Sequence, residues 1–378
     1  MKKFFYCQIC GFTVILLLSG CTFAKQETGT EFLTIASWNV QNLFDGEDNG
    51  YEYDEFKNSS GWNAEKYQGR LQSITAALQG ESGIQADILA LIEIENETVV
   101  RDLADESYLG YGWSFFAGAA DASVGLGVLS ALPITEARAH SFHGGDGSIP
   151  RPVAEVWVDT GSGPLVLLVC HWKSKTGGEK KTESLRQAGS ALIVRLLAEI
   201  EAEREGTPVI VMGDLNENYD EFSRVGAAYP CALLPGTDEA AALVQKKDTG
   251  IRLSARPGFQ DFLVLCGEKP LKLNAEPGTF SALSIVYSPW FELEETPTGN
   301  QNSMGSYYYK DAWETIDHFL LNGALFGENG LRYESFRVLS ESPFTNAAGI
   351  PNSYNPRTGN GLSDHLPIVL VLNKGAYR

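Results

Sequence analysis

The sequence predicts an α/β fold, and three observations carry that reading. Apolar stretches of strand length alternate, irregularly, with stretches whose apolar residues recur at helical spacing. Several strand-like stretches, Ile88–Ile92 foremost, are apolar throughout, as strands buried on both faces are. Finally, 378 residues with 43% hydrophobic and 11% aromatic content hold ample material for a large core. That excludes a small disulfide-stapled domain and a disordered chain. Length alone would accommodate two or three domains.

Residues 1–20 read as an export signal rather than as part of the fold. Met1-Lys2-Lys3 is a short basic start. Phe12–Leu18 is an apolar run too short for a transmembrane helix, which takes about 20 apolar residues. The run ends in Leu18-Ser19-Gly20-Cys21, which resembles the bacterial lipobox, where the chain is cut before the cysteine and the thiol is diacylated. On that reading Cys21 carries the lipid and residues 21–30 are a polar tether. The rest of the chain would face out of the cytoplasm in the bacterial cell envelope, held to a membrane only by its N-terminal lipid. Cys7 and Cys10 leave with the signal. Of the remaining thiols, Cys170 sits in an apolar run and reads as a small buried hydrophobe. Cys231 and Cys266 are left to form one bridge or none.

Beyond the tether the elements follow in order. Phe32–Ser37 is apolar and β-rich and reads as a strand entering Trp38-Asn39. Residues 45–62 are crowded with Asp, Glu, Asn, Gly and Ser and read as a loop. Tyr67, Leu71, Ile74 and Leu78 fall on one helical face, and Ile88–Ile92 is a strand ending at Glu93. Gly125–Leu129 and Val153–Val158 read as strands with a Gly- and Pro-rich loop between them. Pro164–Cys170 is a buried strand that delivers His171. Leu185, Leu192, Leu196 and Ile200 line a long helix stopping near Gly206, and Val209–Met212 is a strand followed by Gly213-Asp214. Later strands fit Ile316–Leu321 and Leu366–Leu372. Residues from about 219 to 311, rich in Gly, Pro, Asn and Ser, resemble a long insertion.

The polar residues at the strand ends carry the chemistry. Five strands finish in Trp38-Asn39, Ile92-Glu93, His171-Trp172-Lys173, Gly213-Asp214-Leu215-Asn216 and Ser363-Asp364-His365, and Asp317-His318 lies inside a sixth apolar stretch. If these strands are neighbours, their ends converge on one sheet edge, where open α/β structures bind ligands. Asn39, Glu93, Asp214, Asn216, Asp317 and Asp364 form an oxygen-rich set suited to Mg²⁺, with Mn²⁺ or Ca²⁺ as alternatives. Beyond residues 1–20, which take Cys7 and Cys10 with them, the sequence holds no HExxH, CxxC pair, P-loop or GxSxG elbow.

Six segments stand in a telling order: Ile35–Asn42, Asp87 through Glu93 to Asn96, His171–Lys175, Gly213–Glu217, Ile316–His318, and Ser363–Pro367. Together they resemble the endonuclease/exonuclease/phosphatase superfamily of pancreatic-type deoxyribonucleases, apurinic endonucleases, sphingomyelinases and inositol-polyphosphate 5-phosphatases. The resemblance runs from Asn39 to His365 and implies one catalytic domain over residues 31–378. It implies a four-layer α/β sandwich, with two central mixed β-sheets flanked by helices and the site at the sheet edges. It implies roles as well. Glu93 matches the main metal-binding carboxylate, helped by Asn39 and Asp364. Asp214 and Asn216 match the pair that contacts the scissile phosphate and the attacking water. Asp317 matches the carboxylate that orients His365, and His171 matches the second histidine, which binds a phosphate oxygen or assists the leaving group.

The chemistry of an anionic phosphodiester calls for such a set: a cation on the nonbridging oxygens, a positioned water and a proton acceptor. Either Asp214 or His365 takes the proton. Arg151, ahead of a strand, resembles a phosphate-facing arginine, and a surface ion pair would account for it equally. Lys173 reads as a substrate contact or as part of a solvated loop. The run Tyr307-Tyr308-Tyr309 reads as a β-core segment before a base-stacking platform. Two departures stand out: Ile92 replaces the Gln that often precedes the metal carboxylate, and Trp313-Glu314-Thr315 lacks the Arg many nucleases carry there. The second argues against apurinic-site repair.

The sequence therefore points to a lipid-anchored, extracytoplasmic, metal-dependent phosphodiesterase, foremost a nonspecific nuclease acting on DNA or RNA as a monomer. The alternatives are a phospholipid head-group or sugar-phosphate hydrolase of the same superfamily, and a silent surface lipoprotein that binds ligands. The net charge of −19 becomes −21 once Lys2 and Lys3 are removed with residues 1–20. It excludes a broad basic surface for gripping polyanions and leaves a site that meets phosphate through metal ions.

Overall fold

The computed structural model describes residues 31–119, 122–143, 151–245, 262–269, 271, 280–294 and 305–375. The export signal, Cys21 and the tether lie outside them, as does part of the stretch expected to be an insertion. No helix among the described residues is long and apolar enough to cross a membrane.

Along the chain, β1 (Phe32–Leu43) runs through α1 (Ala64–Gln79) to β2 (Ile88–Ile94), α2 (Glu97–Ala104), β3 (Trp113–Ala117) and β4 (Gly125–Ser130). Next come β5 (Ile134–His140), β6 (Val153–Asp159), β7 (Pro164–His171), α3 (Glu179–Glu203) and β8 (Val209–Asp214). Short elements follow: α4 (Glu221–Arg224), β9 (Leu233–Pro235), α5 (Asp238–Gln245), β10 (Leu263–Cys266), β11 (Ile285–Tyr287) and α6 (Trp290–Glu294). The chain then forms β12 (Tyr307–Tyr309), β13 (Ala312–Glu314), β14 (Asp317–Leu321), β15 (Arg332–Val338) and β16 (Ile368–Asn373).

Two large sheets result. The first has six strands in the order β15-β16-β1-β2-β4-β3, and the second has eight in the order β5-β6-β7-β8-β14-β11-β10-β9. Both are mixed. At the heart of each lies a parallel pair joined by a helical crossover: β1 and β2 through α1, and β7 and β8 through α3.

Strand alternation builds the layers. Leu33, Ile35, Ile88, Ala90 and Ile92 of the first sheet face Leu165, Leu167, Val169, Ile210, Met212 and Phe319 of the second in one apolar cluster. The opposite faces carry Ala36, Trp38, Leu89 and Leu91, which pack on Tyr67, Leu71, Ile74 and Leu78 of α1 and on Val99, Val100 and Leu103 of α2. On the far side Val166, Leu168, Cys170, Val209 and Val211 meet Leu192, Leu196, Leu197 and Ile200 of α3. The order helix, sheet, sheet, helix is the four-layer sandwich that the resemblance implied. Strands covered on both faces have no solvent side, which is why they read as continuous apolar runs.

Three differences from the sequence reading have physical causes. β3 and β5 went unseen because each is an outermost strand with exposed positions, and polar residues interrupt the apolar run: Ser114 in β3, and Thr135, Glu136 and Arg138 in β5. The irregular stretch after residue 219 adds β9, β10 and β11 to the second sheet, over a small core of its own around Phe222, Leu234, Phe262 and Val264. Cys231 and Cys266 are not bridged to each other.

Candidate active site

The parallel pairs of both sheets deliver their last residues to one place. On β1 and β2 the backbone must bend to do so. The β1–β2 register shifts between Asn39 and Leu43, where Gln41 and Asn42 adopt φ of 54° and 58°. The β2–β4 register shifts between Ile92 and Ile94, leaving Glu93 as a bulge residue at φ 69°. Bulges re-aim side chains at strand ends, and left-handed non-glycine residues cost of order 1–3 kcal/mol each. The outcome is a pair of interlocked polar groups. Asn39 Nδ2 donates to Glu93 Oε1 (3.2 Å), and the Asn42 N–H donates to Glu93 Oε2 (2.9 Å).

In the second sheet His171 and Asp214 are register partners on β7 and β8, and Asp317 faces Asp214 from β14. Gly213 sits at φ 117°, and a Cβ there would lie 2.2 Å from the Cys170 carbonyl, so only glycine lets β8 pass β7 at this point. The Asp214 carboxylate accepts from the Asn216 N–H at 2.9 Å and, across the two sheets, from Asn39 Nδ2 at 3.0 Å. Asn216, at φ 51°, donates its amide to the Trp172 carbonyl (3.2 Å).

His365 arrives on the loop before β16. Its Nδ1 lies 2.8 Å from Asp317 Oδ2, and its Nε2 lies 4.0 Å from Asp214 Oδ2. His171 Nε2 lies 3.7 Å from both Glu93 Oε1 and Asp214 Oδ2. Asn39, Glu93, His171, Asp214, Asp317 and His365 are thus joined by direct contacts into one constellation, with Asn216 anchored beside it.

The electrostatics sort these groups. Burial pushes the Asp214 carboxyl up to about 7 against the pull of His365, with Asp317 and Glu93 adding to the rise. Burial and then the Asp364 charge raise Glu93, and burial is also the main cause that raises Asp364. Burial pulls His365 down, but the charge and hydrogen bond of Asp317, then Asp364 and Asp214, carry it well above the usual imidazole range. His171 goes the other way: burial, then Arg151, His365 and Lys173, hold it well below. One imidazole keeps its proton and the other sheds it. Arg151 is close enough for its charge to act on Glu93 and His171, while burial and then Arg151 lower Lys173, whose ammonium donates to Ser174 Oγ (3.1 Å).

Several supporting residues escaped the sequence reading. Ser306 donates to Asp317 Oδ2 (2.6 Å), making a three-part chain with His365. Ser363 donates to the Asn39 carbonyl (2.6 Å) and accepts the His365 N–H (3.0 Å), tying the chain's two ends together. Trp38 Nε1 donates to the His365 carbonyl at 3.0 Å. Arg70, fully buried, donates to the Val40 and Leu362 carbonyls and stacks 3.8 Å over the Tyr354 ring. Trp38 and Ser363 lie inside motifs at the strand ends; nothing in the sequence ties Ser306 or Arg70 to the others. Arg186 lies on α3. It is fully buried and holds Glu183 and Glu217, each at 2.6 Å.

Asp214, Asp317 and His365 offer donor atoms within 4.8 Å of one another, as do Glu183, Glu217 and Cys231. In the first group the His365–Asp317 hydrogen bond already uses two donors; in the second Arg186 already supplies the cation. Glu93, Asn39 and Asp364 are the better fit for a hard ion. They are hard oxygen donors, and Glu93 and Asp364 are both held above the ordinary carboxyl range, chiefly by burial, with the Asp364 charge adding to the rise of Glu93.

The family described as Endonuclease/Exonuclease/phosphatase family matches residues 34–227. Among solved structures, truncated Caenorhabditis elegans TDP2 superposes with a TM-score of 0.49 at 13% identity, covering 90% of this chain and 97% of that one. D. rerio TDP2 complexed with single strand DNA product gives 0.48 at 14% identity, over 91% and 99% of the two chains. The human Nocturnin catalytic domain with bound sulfate gives 0.46 at 13% identity, over 91% and 95%. No curated protein matches the chain.

Proposed function

The chain belongs to the endonuclease/exonuclease/phosphatase family, and on that premise we propose that it is a metal-dependent phosphodiesterase whose substrate is nucleic acid. The observation that carries the reading is the Asn39 amide, which donates to Glu93 Oε1 at 3.2 Å and to Asp214 Oδ2 at 3.0 Å. Through it a metal-type carboxylate on one sheet and a base-type carboxylate on the other are held at a single point, beside the Asp317–His365 pair. Glu93 with Asn39 and Asp364 would hold a divalent ion, Mg²⁺ by the hardness of the donors. Bound there, such an ion supplies charge to the nonbridging oxygens of the phosphate.

The chain's own residues account for the proton. Asp214, raised to about 7, is matched to take a proton from an attacking water near neutral pH. His365, held protonated by Asp317, presents Nε2 to a phosphate oxygen and stabilises the charge that develops there. His171, kept neutral, closes the site with Nε2 at 3.7 Å from both carboxylates. Arg151 and Lys173 add local positive charge that the chain's overall acidity lacks.

The Leu18–Cys21 sequence supports the companion proposal of an N-terminal lipid anchor outside the cytoplasm. A substrate panel tests the activity: plasmid DNA, RNA, sphingomyelin and inositol phosphates, each with and without EDTA. Cleavage of nucleic acid that EDTA abolishes is expected. Preference for sphingomyelin or inositol phosphate would overturn the nucleic-acid assignment, and full activity in EDTA would overturn the metal.

A further inference from the structure

Next to the proposed phosphate position stands a small hairpin that belongs to neither large sheet. β12 and β13 form a two-stranded sheet of their own, with Tyr307 opposite Glu314, Tyr308 opposite Trp313 and Tyr309 opposite Ala312. A two-residue turn joins them, Lys310 and Asp311, at φ 48° and 63°; left-handed conformations at both positions suit a tight hairpin. The hairpin is rooted in the catalytic constellation from both strands. Tyr307 bridges to His365, the Leu366 N–H donates to the Ser306 carbonyl (2.7 Å), and β13 runs through Thr315 and Ile316 into Asp317.

Tyr307 and Tyr309, two apart on one strand, share a face. Their rings are 6.1 Å apart and inclined by only 18°, and the Tyr307 ring lies 4.5 Å from the His365 imidazole at 31°. Three rings therefore form a ladder that begins at His365 and leads away from it. Its outer rung, Tyr309, is 48% exposed, and the Lys310 ammonium lies 5.0 Å from the Tyr309 ring centroid. A β-core segment would bury this rung. Here the inner rung is half-buried and the outer one is offered to solvent, with a cation beside it.

We infer that the Tyr307–Tyr309 ladder is a base-stacking subsite that seats an unpaired base of single-stranded nucleic acid one step from the phosphate held at His365. A π-face adjoining a lone cation fits a nucleotide: the base covers the ring and the neighbouring phosphate meets the ammonium. In a duplex each base face is covered by its neighbours, so the ladder selects strands whose bases are open. Stacking also answers the charge problem, since it draws affinity from a contact that the chain's negative charge does not oppose.

The inference rests on the phosphodiesterase reading, and the test separates the two. The full chain with Mg²⁺ is assayed on a single-stranded oligonucleotide, on the same strand with abasic tetrahydrofuran residues around the cleaved bond, and on methyl p-nitrophenyl phosphate. Tyr309→Ala is expected to raise KM for the oligonucleotide at least about 10-fold more than for the small diester, within what one stacked base contributes. The extra loss should vanish on the abasic strand, and Tyr309→Trp should restore KM. Equal losses on all three substrates, or none, would overturn the ladder while leaving the phosphodiesterase standing. Hydrolysis of the small diester without cleavage of any oligonucleotide by the unaltered protein would overturn both the ladder and the nucleic-acid assignment.

Discussion

Asp214 and Asp317 stand directly opposite each other in the β8–β14 ladder, and both are buried. Facing like charges weaken a sheet, so the pair persists only because each acid is answered separately. Asp317 Oδ2 receives Ser306 Oγ and faces His365 Nδ1, while Asp214 takes hydrogens from Asn39 and the Asn216 backbone. Between them His365 Nε2 approaches Asp214 to 4.0 Å, so one imidazole serves two carboxylates. A strand pair built for stability alone would have no use for this arrangement.

That coupling predicts unequal losses on mutation. His365→Ala and Asp214→Asn should each lower kcat by at least about 10²-fold, the low end for one proton-transfer group, with the circular dichroism spectrum kept. Asp317→Asn should lose less, since it removes only the partner that orients the ring. The Asp317→Asn, His365→Ala double variant should then be little worse than His365→Ala alone; multiplicative losses would separate the two residues.

Glu93→Gln should weaken Mn²⁺ binding in calorimetry without unfolding the domain. The amide can still accept the Asn42 N–H that now binds at 2.9 Å, and the left-handed backbone at residue 93 is unchanged in kind. The charge that attracts a hard dication is lost, together with the hydrogen bond that Glu93 Oε1 accepts from Asn39 Nδ2 at 3.2 Å. An unaltered affinity would remove Glu93 from the metal site.

His318 ties acid sensitivity to a single ring. Its Nε2 lies 2.8 Å from the Glu217 carbonyl, while Nδ1 is buried with no hydrogen-bond partner among the described residues. Protonation would place an unmatched N–H in the core, and burial accordingly lowers its pKa from 6.5 to about 4. The unfolded chain takes up this proton first. The stability from the neutral ring, about 3 kcal/mol, is therefore complete above pH 6.5 and fades as pH falls toward about 4. Urea titrations across that range should show a shallower pH slope for His318→Gln, which keeps a donor for Glu217. An identical slope would rule the ring out.

Gly213→Ala should lower both stability and turnover. The added methyl group would meet the Cys170 carbonyl at 2.2 Å and force β7 and β8 apart between His171 and Asp214. A cost of about 1–3 kcal/mol is expected from the backbone strain alone. Gly206→Ala, also at positive φ but facing open space, controls for conformation without the clash. Equal denaturation midpoints and rates for the two variants would refute the packing argument.

Cys21→Ser should abolish palmitate labelling and leave the precursor uncut, as the Leu18–Cys21 pattern implies. Acyl label retained by the serine variant would end the lipoprotein reading.

Much of this site was legible because its residues sit at the ends of strands covered on both faces. Glu93, His171 and Asp214 each follow an unbroken apolar run, and Asn39 a largely apolar one, so the change from apolar to polar marks the sheet edge. The backbone devices behind them were not legible. Nothing in the sequence marks Glu93 as a bulge residue or pairs Ser306 with Asp317, because both depend on contacts between distant strands. The tyrosine run misled for a related reason. Aromatic content suggests burial, yet the two-residue turn at Lys310-Asp311 lifts these rings out of the core.

The apolar layer between the sheets is also a spacer. Asn39 and Glu93 ride on one sheet; His171, Asp214 and Asp317 ride on the other. The width of the catalytic gap is therefore set by Ile35, Ile92, Val169, Met212 and Phe319, side chains that sit in the layer between the sheets. Truncating one of them would let the sheets draw together or shear, and a misplacement of about 1 Å can cost 10²-fold in rate. The outer layers carry no such burden, since thinning the contact between α3 and the second sheet leaves the gap as it was. Turnover thus gauges the thickness of the inner core, and slow variants should map to its middle layer, well away from any bond being broken.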